Sequence, residues 1–288
     1  MKEKSMNAKR ITEMIMEKKD FSVVPEDFIL RNVEEYLARE KIQLDKLSEK
    51  DAKEIVKQIR ADLRNVVGVF QLVSVKKRYK LLEMMKNYKD KEILNQILET
   101  HISTNERAEY YEELYKSIFE NFELDAKKEI RVIDLGCGIN PTSIVYFDEP
   151  KKIFFKGVEL SSIDVDFLKK FYNKFGFHGE FESADIINYD FSRRPTTPRP
   201  PAQRNEDFDL CFMFKVLDAI ENIKRNYSEE LIKKVPAKNF VVSFATRSLS
   251  GKKKIEGRKW FAWMLERNNW KYKILEFPGE IYYLFRKE

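Results

Sequence analysis

The stretch with the clearest chemistry is a short apolar run that ends in two closely spaced glycines. Residues 132–135 (Val-Ile-Asp-Leu) are typical of a buried parallel strand. Gly136 and Gly138 follow, and they allow a sharp turn that leaves bare backbone facing a ligand. Asp134 is costly to bury unless it is hydrogen-bonded to the loop that follows. A strand, an acid and a Gly-x-Gly turn in this order open many nucleotide-type sites in open α/β sheets.

The glycine turn differs from two common phosphate-binding motifs. Pro141 stands where the dinucleotide fingerprint has its third glycine, and no Gly-Lys-Ser/Thr follows as in a phosphate loop. Residues 131–141 resemble motif I of class I S-adenosylmethionine-dependent methyltransferases, in which the glycine turn faces the methionine part of the cofactor. The alternative is an ordinary tight strand-to-helix turn in another α/β domain.

Two further acids stand at or just after the ends of predicted strands. Glu159 ends the second strand, where a carboxylate can accept both hydroxyls of a ribose. Asp185 follows the third strand, where it can accept from an adenine amine while Ile186 lies against the ring. The alternatives are a solvent-facing strand end for Glu159 and a helix cap or turn residue for Asp185.

The ends of the fourth and fifth strands bring cations toward the same edge. Lys215 follows the fourth strand and faces the cleft, unless it is a plain surface lysine. Residues 241–254, through and after the fifth strand, interleave serine and threonine with cations, which suits phosphate contact. A solvated charged face is the alternative. The RNA-contact candidates in this loop are Arg247, Lys252, Lys253 and Lys254.

Residues 192–206 interrupt the strand pattern with four prolines among four arginines. This composition excludes helix and central strand, so we expect an exposed insertion. It is either a tolerated surface loop or a basic arm that contacts RNA backbone through Arg193 and Arg194.

The elements that must position these residues change character along the chain. From Ile11 to Phe122 apolar residues recur at helical spacing, with Pro25 suited to a helix start and Ser48 to a cap. From Ile130 onward strands alternate with helices, which predicts a doubly wound, mostly parallel sheet. A final hairpin through Pro278 and Gly279 would add an antiparallel strand.

One arginine in the helical half stands out. Ser103 and Glu106 have the spacing of a capping box, which predicts a helix from there to Phe122. Arg107 would then lie in the first turn, where the positive end of the helix dipole disfavours a cation. We infer that Arg107 is placed to meet an anion.

Composition sets broad limits on function. The 288 residues carry a net charge of +6, which suits a polyanionic partner without requiring one. Cys137 and Cys211 form no disulfide framework, and with two histidines they predict no metal site. No apolar run reaches the length of a membrane span, and the first ten residues lack the apolar segment of a signal peptide. We expect a soluble, cytoplasmic protein.

Four motifs occur together in the order of a known family: residues 101–107 (His-x-Ser-Thr-x-Glu-Arg), 134–141, 214–217 (Phe-Lys-Val-Leu) and 242–251. From Ile97 onward, and more loosely before it, the chain resembles the aminoglycoside-resistance 16S rRNA (guanine-N7) methyltransferases. The implied fold class is α/β, a Rossmann-like class I methyltransferase with a mostly parallel seven-stranded sheet after an all-helical N-terminal domain.

The resemblance also implies roles. Residues 1–100 are expected to dock on the small ribosomal subunit and its 16S rRNA, and residues 101–288 to bind S-adenosylmethionine, with Arg107 on the cofactor carboxylate. Guanine N7 carries no proton, so no general base is expected. Trp260 or Phe244 would stack on the target base or pack in the core. Candidates for positioning that base are Lys215, Arg247 and Ser248. The expected cofactor residues are Arg107, Asp134, Gly136, Gly138, Asn140, Glu159, Leu160, Asp185, Ile186 and Lys215.

The sequence departs from the family pattern at two places, so it does not decide which nucleotide is methylated. These are the insertion at 192–206 and Asp-Ala-Ile-Glu at 218–221, where the family has a leucine-rich segment. The predicted function is methylation of 16S rRNA by S-adenosylmethionine, with a monomer favoured. The alternatives are a methyltransferase for another RNA and a ribosome-binding or assembly protein without turnover. A small-molecule methyltransferase is a less favoured alternative, because the basic loops and the helical extension would then have no role.

Overall fold

The computed structural model describes residues 2–18, 21–42, 48–67, 75–192, 208–247 and 258–287. Within these ranges, seven helices come before the first strand: α1 Lys2–Met16, α2 Glu26–Arg39, α3 Glu49–Val67, α4 Val75–Met84, α5 Lys91–Leu98, α6 Ile102–Arg107 and α7 Tyr111–Phe122. The alternating part consists of β1 Ile130–Leu135, β2 Ile153–Glu159, α8 Ser162–Phe175, β3 His178–Ser183, β4 Phe208–Phe214, α9 Leu217–Ile223, α10 Ser228–Lys234, β5 Ala237–Ala245, α11 Lys259–Arg267, β6 Tyr272–Phe277 and β7 Glu280–Arg286.

The seven strands form one sheet in the order β3-β2-β1-β4-β5-β7-β6. Strands β1 to β5 pair in parallel, and β7 lies antiparallel between β5 and β6. The predicted class I methyltransferase fold, with its closing hairpin, is therefore confirmed. Every residue of β1 is buried, which explains why this strand is apolar except for Arg131 and Asp134. In such a sheet the loops after β1, β2, β3 and β4 meet at one edge.

Two apolar cores cover the two faces of the sheet, and a third lies outside it. The third core is formed by α1, α2 and α3 with the turn between the first two helices, and we call these three helices the helical unit. Helices α4 and α5 instead share the core of α7, α8 and the sheet, through residues such as Leu81 and Leu94. This packing favours a domain boundary between Leu63 and Val75, whereas the division near residue 100 stays a prediction.

The structure corrects the local prediction around Arg107. Helix α6 begins at Ile102 after His101, which makes no side-chain cap, and the hydroxyl of Thr104 donates to the carbonyls of Leu98 and His101. The predicted capping box of Ser103 and Glu106 is therefore wrong. Because α6 ends at Arg107 and α7 starts four residues later, Arg107 lies in a last turn and the helix-dipole argument fails.

Some other helices begin with side-chain caps, and the cap at Ser48 was predicted. The Ser161 hydroxyl accepts from the amide of Asp164 at the start of α8, and Ser48 and Asp51 exchange cap hydrogen bonds at the start of α3. None of the helices among the described residues combines the length and the apolar character needed to cross a bilayer.

Close packing around Gly157 gives a stability prediction. A Cβ at this position in β2 would lie 2.6 Å from Phe181 Cδ1 and 3.0 Å from Cys137 Sγ, and both residues are buried. We expect Gly157→Ala to lower the free energy of unfolding by about 1–3 kcal/mol through overpacking. Urea denaturation measures it, with Lys273→Ala on exposed β6 as the control. Equal stability of the two variants would contradict this packing.

Candidate functional site

A pocket opens at the carboxyl ends of the parallel strands. It is lined by the loops after β1, β2, β3 and β4, by α6, and by one residue of the helical unit, Phe28. The sequence-predicted cofactor residues all line this pocket, namely Arg107, Asp134, Gly136, Gly138, Asn140, Glu159, Leu160, Asp185, Ile186 and Lys215. The structure thus brings the ten together, and their role in binding a cofactor stays a prediction.

The glycine turn must be glycine for two reasons. Gly136 and Gly138 have φ angles of +67° and +50°, in the left-handed region. A Cβ on Gly136 would lie 2.7 Å from Val216 Cγ2, and one on Gly138 would lie 2.9 Å from His101 Nε2. Both glycines therefore bring bare backbone to the wall of the pocket. Burial lowers the pKa of His101 to about 4, so this side chain is neutral near pH 7.

Asp134 is fixed by the loop after β1, as the sequence predicted. Its Oδ2 accepts from Asn140 Nδ2 at 2.7 Å, and the phenol of Tyr111 donates to Asn140 Oδ1 at 2.8 Å. Its other oxygen, Oδ1, is buried and has no hydrogen-bond partner among the described residues. Burial raises the pKa of Asp134 to about 7, against the opposing effects of Asn140 and Arg107. An unpartnered buried acceptor at a pocket wall suits a ligand that brings a donor.

The Glu159 carboxylate is held by two backbone amides, one from the glycine turn and one from the segment after β2. Its Oε2 accepts from Gly138 N at 2.8 Å and its Oε1 from Ser161 N at 3.1 Å. Burial first, and the charge of Asp164 second, raise the pKa of Glu159 to about 7. The carboxylate thus lines the pocket in a fixed orientation, with lone pairs left for further donors.

Asp185 caps a short helix, as one of the two predictions held, and its predicted contact with an adenine amine stays a prediction. Its Oδ1 accepts from Ile187 N at 3.0 Å and so caps the short 3-10 helix Ile186–Asn188, and the residue also lines the pocket. Its Oδ2 accepts from Asn188 Nδ2 at 3.0 Å and from Arg31 Nε at 3.1 Å. Arg31 belongs to α2 of the helical unit.

Arg107 meets its anion within the protein. It is 1% exposed, and its Nε and Nη2 lie 3.0 and 2.8 Å from the two oxygens of Glu280, the first residue of β7. Lys215 Nζ lies 3.2 Å from Glu280 Oε2 and also pairs with Glu106, while the Ser243 hydroxyl contacts Glu280 too. Burial alone would raise the pKa of Glu280, but Arg107 and Lys215 outweigh it and hold that pKa below its usual value.

This cluster also fixes the turn after β4. Lys215 has φ of +58°, and its amide donates to Ser243 O at 3.1 Å, which ties the residue after β4 to β5. The Lys215 side chain is 11% exposed and lines the pocket, which rules out the plain surface lysine. The guanidinium of Arg107 lies 4.7 Å from the ring centroid of Phe214. Arg107 and Lys215 thus face two acids, the buried Glu280 and the partly exposed Glu106, and the four groups form one ion-pair network beside the pocket.

The rim after β5 is described only in part. Arg247 is exposed beyond the end of β5, while Ser248, Lys252, Lys253 and Lys254 lie outside the described residues, as do Arg193 and Arg194. Their predicted RNA contacts, and the target-base role of Arg247 and Ser248, stay predictions.

Of the two aromatic residues that were predicted to stack on the target base or pack in the core, the structure places Phe244 in the core. Phe244 is fully buried and packs edge-on against Trp260, Phe261 and Tyr283, so it cannot stack on a nucleobase. It belongs to the core, as the alternative held. Trp260 keeps 37% of its surface exposed and remains available.

Sequence reasoning missed several residues of this site, among them Glu280, Phe28 and Arg31. Glu280 stands directly before the apolar run 281–285 of β7, and a charge at that position was the signal that could have drawn attention to it. Phe28 and Arg31 lie on a helix remote in sequence, and no local pattern marks them.

The chain is similar in sequence to known ribosomal RNA methyltransferases. Residues 38–270 match the model of a family described as ribosomal RNA methyltransferase (FmrO). A 16S rRNA (guanine(1405)-N(7))-methyltransferase of Proteus mirabilis is 27% identical over 164 residues, or 57% of this chain and 53% of that protein. A protein of the same name from Frankia casuarinae is 24% identical over 197 residues, or 67% and 64%. The chain thus spans about half to two thirds of the length of these relatives.

Two solved structures resemble the whole fold. The 16S rRNA methylase RmtB superposes with a TM-score of 0.72 at 21% identity, covering 98% of this chain and 99% of that one. The 16S rRNA methyltransferase RmtF, solved in complex with S-adenosyl-L-homocysteine, gives 0.75 at 23% identity, with 98% of both chains covered. At these identities the likeness shows the shared fold.

The buried cluster predicts a large effect of one neutral substitution. Glu280→Gln removes the charge that Arg107 and Lys215 share, so two cations remain without their buried partner. We expect the free energy of unfolding to fall by about 3 kcal/mol. Urea denaturation at pH 7 measures this, with Glu276→Gln on exposed β6 of the same hairpin as the matched control. Equal effects of the two variants would contradict the role given to Glu280.

Proposed function

The chain belongs to the FmrO family of ribosomal RNA methyltransferases, and from that premise we propose that it transfers a methyl group from S-adenosylmethionine to a guanine N7 of 16S rRNA. The observation that carries this proposal is the pocket at the strand ends, where all ten predicted cofactor residues converge. The names of the curated relatives support guanine 1405 as the target.

The polar groups of the pocket fit the cofactor from end to end. The unpartnered Asp134 Oδ1 suits the cofactor's ammonium group, and the Arg107–Lys215 side suits its carboxylate. Glu159 can accept from the ribose hydroxyls, and Asp185 from the adenine amine. Ile186, Ile187 and Phe28 supply apolar wall near Asp185.

Methyl transfer to guanine N7 requires that the two reactants are aligned, and it requires no proton transfer. When bound, S-adenosylmethionine supplies an electrophilic methyl group on its sulfonium. Guanine N7 attacks with an in-plane lone pair and carries no proton, so the chain needs no general base. The glycine turn and Glu159, rigidly held, therefore act by orienting the reactants. We propose that Lys215, Arg247 and Ser248 hold the target base near the same edge.

We further propose that the helical unit docks on the small ribosomal subunit. Its helix α3 places Lys53, Lys57, Arg60 and Arg64 around one surface recess, which supports contact with phosphates. The basic segments at 193–194 and 252–254 would add to this contact. Since ribosomal subunits are the proposed substrate, the cytoplasm is the proposed location, with the protein acting as a monomer.

Transfer of labelled methyl from S-adenosylmethionine tests the function. Small ribosomal subunits, naked 16S rRNA and transfer RNA are offered separately, and the label is mapped. We expect label on guanine N7 of the small subunit, and loss of transfer of about 100-fold or more in Arg107→Ala. Arg39→Ala, an exposed arginine of α2, serves as the control. Label confined to transfer RNA would favour another RNA target, and no label on any RNA would favour a non-catalytic ribosome-binding protein.

The raised pKa values of Asp134 and Glu159 predict a pH dependence of cofactor binding. Both carboxyls titrate near pH 7 in the ligand-free protein, and a ligand that brings an ammonium and hydroxyl donors favours their charged forms. The affinity for S-adenosylhomocysteine should fall as the pH drops from 8 to 6, by up to about tenfold per unit for each carboxyl. Calorimetry across this range measures it. Asp134→Asn should flatten the profile, and a flat profile in the unaltered protein would contradict the assignment.

A further inference from the structure

An arginine of the helical unit reaches the cofactor pocket. Arg31 lies on α2, 154 residues from Asp185, yet its Nε and Nη2 lie 3.1 and 2.9 Å from Asp185 Oδ2. The pair is largely shielded from water, because the side chains are 17% and 5% exposed. Arg31 Nη1 donates to Glu35 on the same helix, and this second contact further restrains the guanidinium. Such a shielded pair restrains orientation far better than an exposed one.

The two oxygens of Asp185 are used differently. Oδ2 receives Arg31 together with Asn188 Nδ2, whereas Oδ1 receives the amide of Ile187 alone. A carboxylate oxygen accepts two hydrogen bonds, so Oδ1 keeps the capacity to accept one from a ligand. Arg31 occupies Oδ2 and opposes rotation of the carboxylate, and this leaves Oδ1 as the acceptor available in the pocket.

The helical unit is anchored to the pocket at further points. Phe28, one turn before Arg31, is 1% exposed and lines the pocket, and the Arg31 guanidinium lies 5.3 Å from its ring centroid. The carbonyl of Val23 accepts from Ser162 N at 2.8 Å, at the start of α8. Helix α2 is therefore part of the pocket wall near Asp185.

We propose that Arg31 is a positioning residue that sets the preference of the pocket for an adenine base, by fixing Asp185 as an acceptor for its amine. This inference rests on the proposed function, because it takes S-adenosylmethionine as the ligand. A 6-oxo purine presents an acceptor where adenine presents a donor, so the fixed Asp185 oxygen rejects it. One hydrogen bond to a charged group corresponds to a preference of about ten- to a hundredfold.

The experiment compares two ligands in matched variants. Calorimetry gives the dissociation constants of S-adenosylhomocysteine and of S-inosylhomocysteine, which has an oxygen in place of the adenine amine. The variants are Arg31→Gln, Arg31→Lys and, as the control, Arg39→Gln, an exposed arginine of the same helix paired with its neighbour Glu40. Urea denaturation checks that each variant is folded.

The unaltered protein and Arg39→Gln should prefer the adenine ligand at least about tenfold. Arg31→Gln should lose most of this preference, because the adenine ligand binds more weakly while the 6-oxo ligand binds as well as before or better. Arg31→Lys, which keeps the charge without the planar fork, should retain part of it. An unchanged ratio in Arg31→Gln, or an equal loss for both ligands, would overturn the inference. Failure of the unaltered protein to bind S-adenosylhomocysteine would instead overturn the proposed function, and this inference with it.

Discussion

The buried carboxylate of Glu280 is the constraint on which the pocket depends. A charge without exposure to water persists only when opposite charges and hydrogen bonds surround it, and Arg107, Lys215 and Ser243 do so. These partners come from α6, the turn after β4, and β5, so one acid ties together segments up to 173 residues apart. The antiparallel strand β7 is what delivers that acid to the edge where the parallel strands end.

Two kinds of contact fix the acidic side chains of the pocket. Backbone groups fix the acids that the glycine turn touches, since Glu159 is held by amides and Asp134 by the loop that follows it. Side chains from distant helices fix the rest, as Arg31 does for Asp185. A consequence is that the helical unit and the sheet share one site.

The residues predicted well from the sequence are those whose positions follow from strand ends. Gly136, Glu159 and Asp185 stand at or just after the ends of β1, β2 and β3, and the carboxyl ends of parallel strands must meet at one edge. Glu280 and Arg31 escaped because their roles exist only through contacts across 173 and 154 residues. The burial of Phe244 was likewise decided by the packing of α11 against the sheet, which local sequence does not reveal.

Arg107 shows how a sound expectation can rest on a wrong premise. The sequence predicted that this cation meets an anion, and the structure supplies Glu280. The reason offered, a misplaced charge in a first helical turn, failed because α6 begins at Ile102 and ends at Arg107. Helix boundaries are the least certain part of a pattern-based prediction, and dipole arguments inherit that error.

A crystal structure of the chain with S-adenosylhomocysteine tests the central claim most directly, that this pocket is built around one cofactor. We expect the ligand's ammonium on Asp134 Oδ1, its carboxylate on the Arg107 and Lys215 side, its ribose on Glu159 and its adenine on Asp185, with Arg31 still paired to Asp185. A ligand bound elsewhere, or bound here in the reverse direction, would contradict it.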